Sequence, residues 1–389
     1  MAMEDNGVHP LRPRWRAVAT ALLLVLGCAR LFQVVLHSPM LGYANNSDFI
    51  KLSSTVGIWL DEPGVDPLAG HPSAPFRHYR SHGKHIEEFR YLSSEVFLAY
   101  PAVAASDLLN WFRGIRKDRF DLRTLGAVKG IFFLAAGVFL TALFFRRSPW
   151  AGLISALIFV TTICDPINSL YFNTLYLDDS AVFFTYLAVG MALLLLSTEH
   201  PPTWLIASFC VAVVFAGWSK MQHPGLPLAL ALAFGVAQAS RRAHGHRSAL
   251  RMIVPPVGAA LLTLTGGIMH NRSPSARGMV SAAATDAWFN MALPSFRNPE
   301  AVVDSLGLPA RCRAYVGKSW YDPEMAQRPC PEIFRLTRFQ MVRALLNEPL
   351  AIGRILAKAV TVSRPQLLWY GQVEGQPNGT IDALERRTG

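Results

Sequence analysis

Seven apolar runs constrain this chain more than any other feature: residues 15–36, 125–145, 149–164, 180–196, 202–218, 225–239 and 253–269. Each crosses, or nearly crosses, a hydrocarbon core about 30 Å thick, the shorter ones by tilting or by local thinning of the bilayer. Composition agrees, because only 16% of the 389 residues are charged and 51% are hydrophobic, whereas soluble domains carry roughly 25% charged residues. The expected fold class is an α-helical integral membrane protein. It has about seven transmembrane helices, a long first outer loop and a mainly helical outer C-terminal domain.

The basic residues orient these runs. Arg12, Arg14 and Arg16 precede the first run, Arg146 and Arg147 occupy a tight turn, and Arg241, Arg242, Arg247 and Arg251 form a cluster. Cytoplasmic loops are enriched in Lys and Arg, and these three groups lie on one side only if residues 37–124 form a single outer loop. Within that loop residues 92–112 are fairly apolar but are interrupted by Glu95, Pro101, Ser106 and Asp107, so they read as an amphipathic or re-entrant helix on the membrane surface. The first run is too long for a signal-peptide core and reads as a retained anchor. The chain then divides into a cytoplasmic N-terminus (1–14), a transmembrane module (15–269) and an extracytoplasmic domain (270–389). In the last of these, residues 351–370 suit an interfacial amphipathic helix better than a span, because Arg354, Lys358 and Arg364 interrupt them.

Charge narrows the partners. The net charge of +11 is first a topology signal and a contact with anionic lipid. No long basic run or recognition motif accompanies it, which argues against nucleic acid. Among five cysteines no spacing suggests a metal. Cys312 and Cys330 share the polar tail and are disulfide candidates if that tail is outside the cytoplasm.

With this topology every notable carboxylate lies on the outer side: Asp48, and Asp178 with Asp179 at the end of a loop from Asp165. Carboxylates at membrane span ends are functional hypotheses by default, and the plainer alternative is a helix cap, with Asp179 and Ser180 starting the next helix. The outer side also carries Arg77, His78, Arg80, His82, Lys84 and His85, an unexpected density of cations where few are predicted. Lys220, Gln222 and His223 form a short outer turn. Arg and Lys bind phosphate by charge-assisted hydrogen bonds; the alternatives are a solvated loop near lipid headgroups and, for Lys220, snorkelling. A carboxylate base and cations for a leaving phosphate are the parts that inverting glycosyl transfer needs. Adjacent helical residues diverge by about 100°, so Asp178 and Asp179 are not expected to face the same atom.

The arrangement resembles the GT-C class of polytopic glycosyltransferases. More specifically, Asn46-Ser47-Asp48-Phe49, Tyr171-Phe172-Asn173-Thr174-Leu175-Tyr176, Ser219-Lys220-Met221-Gln222, Trp288-Phe289-Asn290-Met291-Ala292-Leu293-Pro294 and Gly317-Lys318-Ser319-Trp320-Tyr321 resemble, in order, a bacterial family of glycan-biosynthesis hexose transferases. The resemblance implies a polyprenyl-phosphate-linked sugar as donor, a glycan acceptor, and a site facing outward from the bacterial cytoplasmic membrane. It implies Asp48 as base or acceptor-binding carboxylate, and Asp178 and Asp179 in a second acidic motif. It places Lys220, Gln222 and His223, with Arg77, His78, Arg80, Lys84 and His85, near the donor phosphate, and Asn46, Asn173 and Tyr176 in acceptor or supporting roles. The resemblance fixes no cofactor, and a divalent metal stays open. Proteins of this class tend to carry further spans after the outer domain, so a short member or a piece of a longer chain is expected. Two other functions stay open: a lipid-linked glycan transporter or flippase, and a membrane-anchored scaffold without catalysis.

Overall fold

In a computed structural model the described residues are 14–44, 49–61, 75–89, 91, 93–198, 201–220, 223–241, 246–272, 274–320, 322–368 and 371–375. They divide into two compact units, one within Met1–His270 and Tyr370–Gly389, the other Asn271–Trp369. The boundary after residue 270 agrees with the break from apolar to polar sequence. The C-terminal end departs from the expected single domain, because residues 371–375 belong with the first unit.

The apolar runs are helical. Three helices are long and apolar enough to cross a membrane: α1 (Arg14–Val35), the later α4 (Leu122–Arg147) and α7 (Asp179–Leu196). A bent pair makes a fourth if it counts as one span: α5 (Pro149–Ile158) continues through a π-helical turn to Ile163, then breaks by 64° into α6 (Pro166–Phe172). The expected loop at residues 165–179 therefore holds a helix, started by Pro166 and by the Asp165 carboxylate, which accepts from the Ile167 amide. The apolar parts of α8 (Thr203–Gly217), α9 (Gly225–Arg241) and α10 (His246–Arg272) are shorter. Seven full-length spans are thus more than helix length alone supports, since a rise of about 1.5 Å per residue leaves a short helix below the thickness of the core.

Two sets of contacts sort the helix ends. Arg16 lies over the Trp150 ring at 4.3 Å, and Arg147 donates to the Ser197 carbonyl at 2.8 Å, so the start of α1, the α4 to α5 turn and the end of α7 share one end of the bundle. At the other end, buried Asn173 donates to the carbonyls of Val35 and Leu41 at 3.0 and 2.8 Å. Gly126 permits this clamp: a Cβ there would lie 2.0 Å from Asn173 Oδ1. Between the ends Phe133 stacks on Phe172 at 4.7 Å and meets Phe183 edge-on at 5.0 Å. Lipid tails are as apolar as these side chains, so such contacts hold helices together by dispersion and close packing.

The first outer segment is folded. It contains β1 (Leu41–Gly42), α2 (Phe49–Val56), β2 (Trp59–Leu60), β3 (His78–Arg80), α3 (Val96–Arg113) and β4 (Arg119–Asp121). Strands β2, β3 and β4 form one antiparallel sheet, while β1 pairs with β5 (Gln372–Val373). Helix α3 covers the expected surface helix, and its buried side mixes Leu98, Ala99, Ala102 and Val103 with Ser106 and Asn110. Ser106 and Asn110 turn inward to the Arg119 carbonyl, whereas Phe97, Tyr100, Leu108, Trp111 and Phe112 are exposed.

The second unit contains α11 (Pro274–Thr285), α12 (Pro299–Ser305), α13 (Arg338–Asn347) and α14 (Pro349–Leu368) with short 3-10 turns between them. Its core gathers Trp288, Phe289, Leu293, Phe296, Val303 and Ile333 around a disulfide between Cys312 and Cys330.

Candidate functional site

A lysine inside an apolar helix organises the candidate site. Lys129 lies about two turns into α4 and its side chain is wholly buried. Its ammonium group donates to Asp179 Oδ2 at 2.6 Å and to the Thr174 carbonyl at 3.0 Å, and pairs with Glu95 Oε1 at 2.8 Å. Glu95 is equally buried, and its second oxygen accepts from the Ser180 amide at 2.7 Å. That amide is one of the unsatisfied donors at the start of α7. Glu95 therefore caps α7 from a distant part of the chain, and the positive end of the helix favours its charge.

The surrounding elements explain how these side chains meet. Ser93 and Ser94 dock on the end of α8, with Ser93 Oγ donating to the Ser219 carbonyl at 2.5 Å and the Ser94 amide donating to the Trp218 carbonyl at 3.2 Å. This sets Glu95 beside the start of α7, while the Asn173 clamp sets Thr174 beside α4.

Next to this buried trio lies a more open cluster. Asp178 is partly exposed, and both of its oxygens are 3.2 Å from Lys220 Nζ. His223 Nε2 is 4.0 Å from Asp178, and His223 Nδ1 is 2.8 Å from Ser219 Oγ. The Ser219 hydroxyl donates to the Ala216 carbonyl at 2.6 Å, so its oxygen accepts from the Nδ1–H of His223 and leaves Nε2 toward the carboxylate. A cavity of about 320 Å³ opens here, lined by Phe133, Ile163, Asn168, Tyr171, Phe172, Asp178, Asp179 and Val182. Its lining combines aromatic side chains with carboxylates, a combination that accepts an apolar chain with a polar head.

The expected residues fare differently. Asp48, Asn46 and Gln222 lie outside the described residues. Asp178 and Asp179 diverge as adjacent residues should, Asp178 toward Lys220 and Asp179 toward Lys129. They therefore do not form a two-carboxylate metal site. The cap expected of Asp179 is supplied by Glu95 instead. Asn173 is structural, and the Tyr176 hydroxyl donates to the Ala44 carbonyl at 3.0 Å.

The cationic stretch is mostly committed to the fold rather than held ready for a ligand. Arg77 pairs with Asp121 at 2.8 Å, Arg80 with Asp61 at 2.6 Å and His82 with Asp107 at 2.9 Å. His85 Nδ1 is 3.1 Å from the Ser54 carbonyl. His78 lies in β3 opposite Asp121, and Lys84 is exposed while its carbonyl accepts from Trp59 Nε1 at 2.8 Å. Burial opposes the ionisation of Asp121, but hydrogen bonds from Arg123 and Arg77 outweigh it and hold the carboxyl below its ordinary value.

Lys129 is the residue that sequence reasoning passed over. Its signal was a solitary cation within an apolar run, which in a membrane span marks either a function or a buried partner. Glu95, within the fairly apolar stretch 92–112, carries the same signal.

These features define a helical membrane protein with a charged site at one end of its helices. Residues 11–339 match the family model described as the YfdI N-terminal transmembrane domain, and the chain belongs to that family. No curated protein and no solved structure matches the chain.

Proposed function

We propose that this protein is an inverting glycosyltransferase of GT-C type. It moves a sugar from a polyprenyl-phosphate carrier to a glycan or other acceptor on the outer side of the cytoplasmic membrane. The observation that carries the reading is the convergence of Lys220 and His223 on Asp178, which lines a cavity with aromatic side chains. In this proposal the seven helical runs span the bilayer with the N-terminus inside. The grouping of Arg16, Arg146 and Arg147 at the opposite end of the bundle supports that orientation.

The polyprenyl chain lies along Phe133, Phe172 and Val182, which brings its phosphate to Lys220 and His223. Lys220 then exchanges part of its contact with Asp178 for the phosphate. Asp48 takes the proton from the acceptor hydroxyl as that oxygen bonds to the anomeric carbon. The bond from this carbon to the phosphate oxygen breaks, and the phosphate leaves with the electron pair. The buried trio acts by position: it fixes the start of α7 and hence the direction of Asp178.

Transfer from a polyprenyl-phosphate sugar in proteoliposomes tests the reading. Asp48→Asn should lower turnover by about 10²- to 10⁴-fold, the usual range for general base catalysis. Unchanged transfer would falsify that role. Lys220→Ala should mainly weaken donor binding, and a fall in turnover at undiminished donor affinity would remove the phosphate contact from the proposal.

A further inference from the structure

Helix α14 is exposed along most of its length. Its charged residues Arg354 and Lys358, one turn apart and themselves exposed, reach back to the second unit: Arg354 donates to the Ser295 carbonyl and to Glu348, and Lys358 donates to the Asn290 carbonyl at 2.5 Å. Its stripe of Ile352, Leu356 and Val360 lies about 200° around the helix and faces outward, with Val360 73% exposed. The preceding α13 continues the pattern, with Phe339 74% exposed and Val342 and Leu346 beside it at helical spacing. Exposed apolar patches of this extent mark an interaction surface.

The charges around the patch indicate what covers it. Three other cations of this unit are paired: Arg311 with Glu332, Arg313 with Asp304 and Lys318 with Glu324, while Arg328 lies over the Trp320 ring. Arg335, Arg338 and Arg343 are exposed beside the α13 stripe, and none has an ion-pair partner among the described residues. An apolar stripe flanked by free arginines complements a bilayer surface that carries phosphate headgroups. The same chain supplies the membrane, through helices of spanning length and apolarity. Helix α3 in the other unit likewise exposes aromatic side chains, among them Phe97, Tyr100, Trp111 and Phe112.

We propose that α13 and α14 form a lipid-docking surface, with Phe339, Val342, Leu346, Leu356 and Val360 set among the upper acyl chains and Arg335, Arg338 and Arg343 on anionic headgroups. This surface is independent of the catalytic reading.

The test uses the unmodified full chain in vesicles of phosphatidylglycerol and phosphatidylcholine with a trace of phospholipid carrying a diazirine near its glycerol. After irradiation, lipid adducts are mapped by peptide mass spectrometry. Peptides from residues 338–361 should be labelled at least about fivefold more than those containing Arg313 and Lys318, as expected for a helix lying in the interface. Equal or weaker labelling would overturn the proposal, whether the patch is open to water or covered by protein, including a second copy of the chain. Vesicles of phosphatidylcholine alone should lower the labelling about twofold as the arginines lose their counter-charges. Labelling indifferent to lipid charge would overturn the role given to the arginines.

Discussion

The trio of Glu95, Lys129 and Asp179 and the ion pairs of Arg77 and Arg80 both join distant parts of the first unit, but in different surroundings. Lys129 and Glu95 are wholly buried, whereas Arg80 and Asp61 are largely in solvent. Exposed pairs are worth about 0 to 1 kcal/mol because water screens them and two long side chains must be ordered. A buried pair adds little against an apolar replacement, yet breaking it strands a charge at a cost of about 3 to 5 kcal/mol. The contrast teaches that the density of cations at residues 77–85, conspicuous in the sequence, carries less energy than one lysine hidden in an apolar helix.

Removing that lysine should have the largest effect. Lys129→Met leaves two carboxylates facing each other and should destabilise the protein by about 3 to 5 kcal/mol, read from thermal unfolding in detergent. Adding Glu95→Gln and Asp179→Asn should recover most of the loss. A single variant as stable as the wild type would break the comparison. Gly126→Ala comes next, at about 1 to 3 kcal/mol, because the new methyl must displace Asn173 from its clamp. Helix-contact crosslinking between α1 and α4 should weaken with it.

Asp121 sharpens the contrast from the exposed side. Asp121→Asn should cost about 1 kcal/mol at neutral pH. The folded carboxyl titrates below its unfolded value of about 3.9. Its contribution is therefore complete above that value and is lost as pH falls through the folded pKa. Wild type and variant should converge as the carboxyl becomes protonated in the folded protein, and a gap that persists in acid would contradict the ion-pair assignment. Arg80→Ala should be smallest, within about 0.5 kcal/mol of wild type, and a loss comparable to that of Lys129→Met would erase the distinction between the two regions.

Much of the fold was legible in the chain. All seven apolar runs are helical, and Arg16 and Arg147, two of the arginines that mark one side, lie at one end of the bundle. Less of the site could be read. Lys220 and His223 were noticed, but their approach to Asp178 brings the end of α8 to the start of α7, and only packing decides that. Arg77 and Arg80 looked available because Asp121 and Asp61 become their partners only when β2, β3 and β4 align. The order of β strands at 41–42 and 372–373 also joins segments too far apart for any local pattern to connect.

Hydrophobic runs and their charged ends determined by themselves that this is a helical membrane protein, because lipid solvates neither an unpaired backbone nor an unpaired charge. The tertiary structure alone decided which carboxylates answer Lys129, since Glu95, Thr174 and Asp179 come from three separate stretches. The physical reason is that a buried charge is specified by its surroundings in space: the same lysine would be a snorkelling surface residue on one face of α4 and is the keystone of the candidate site on the other.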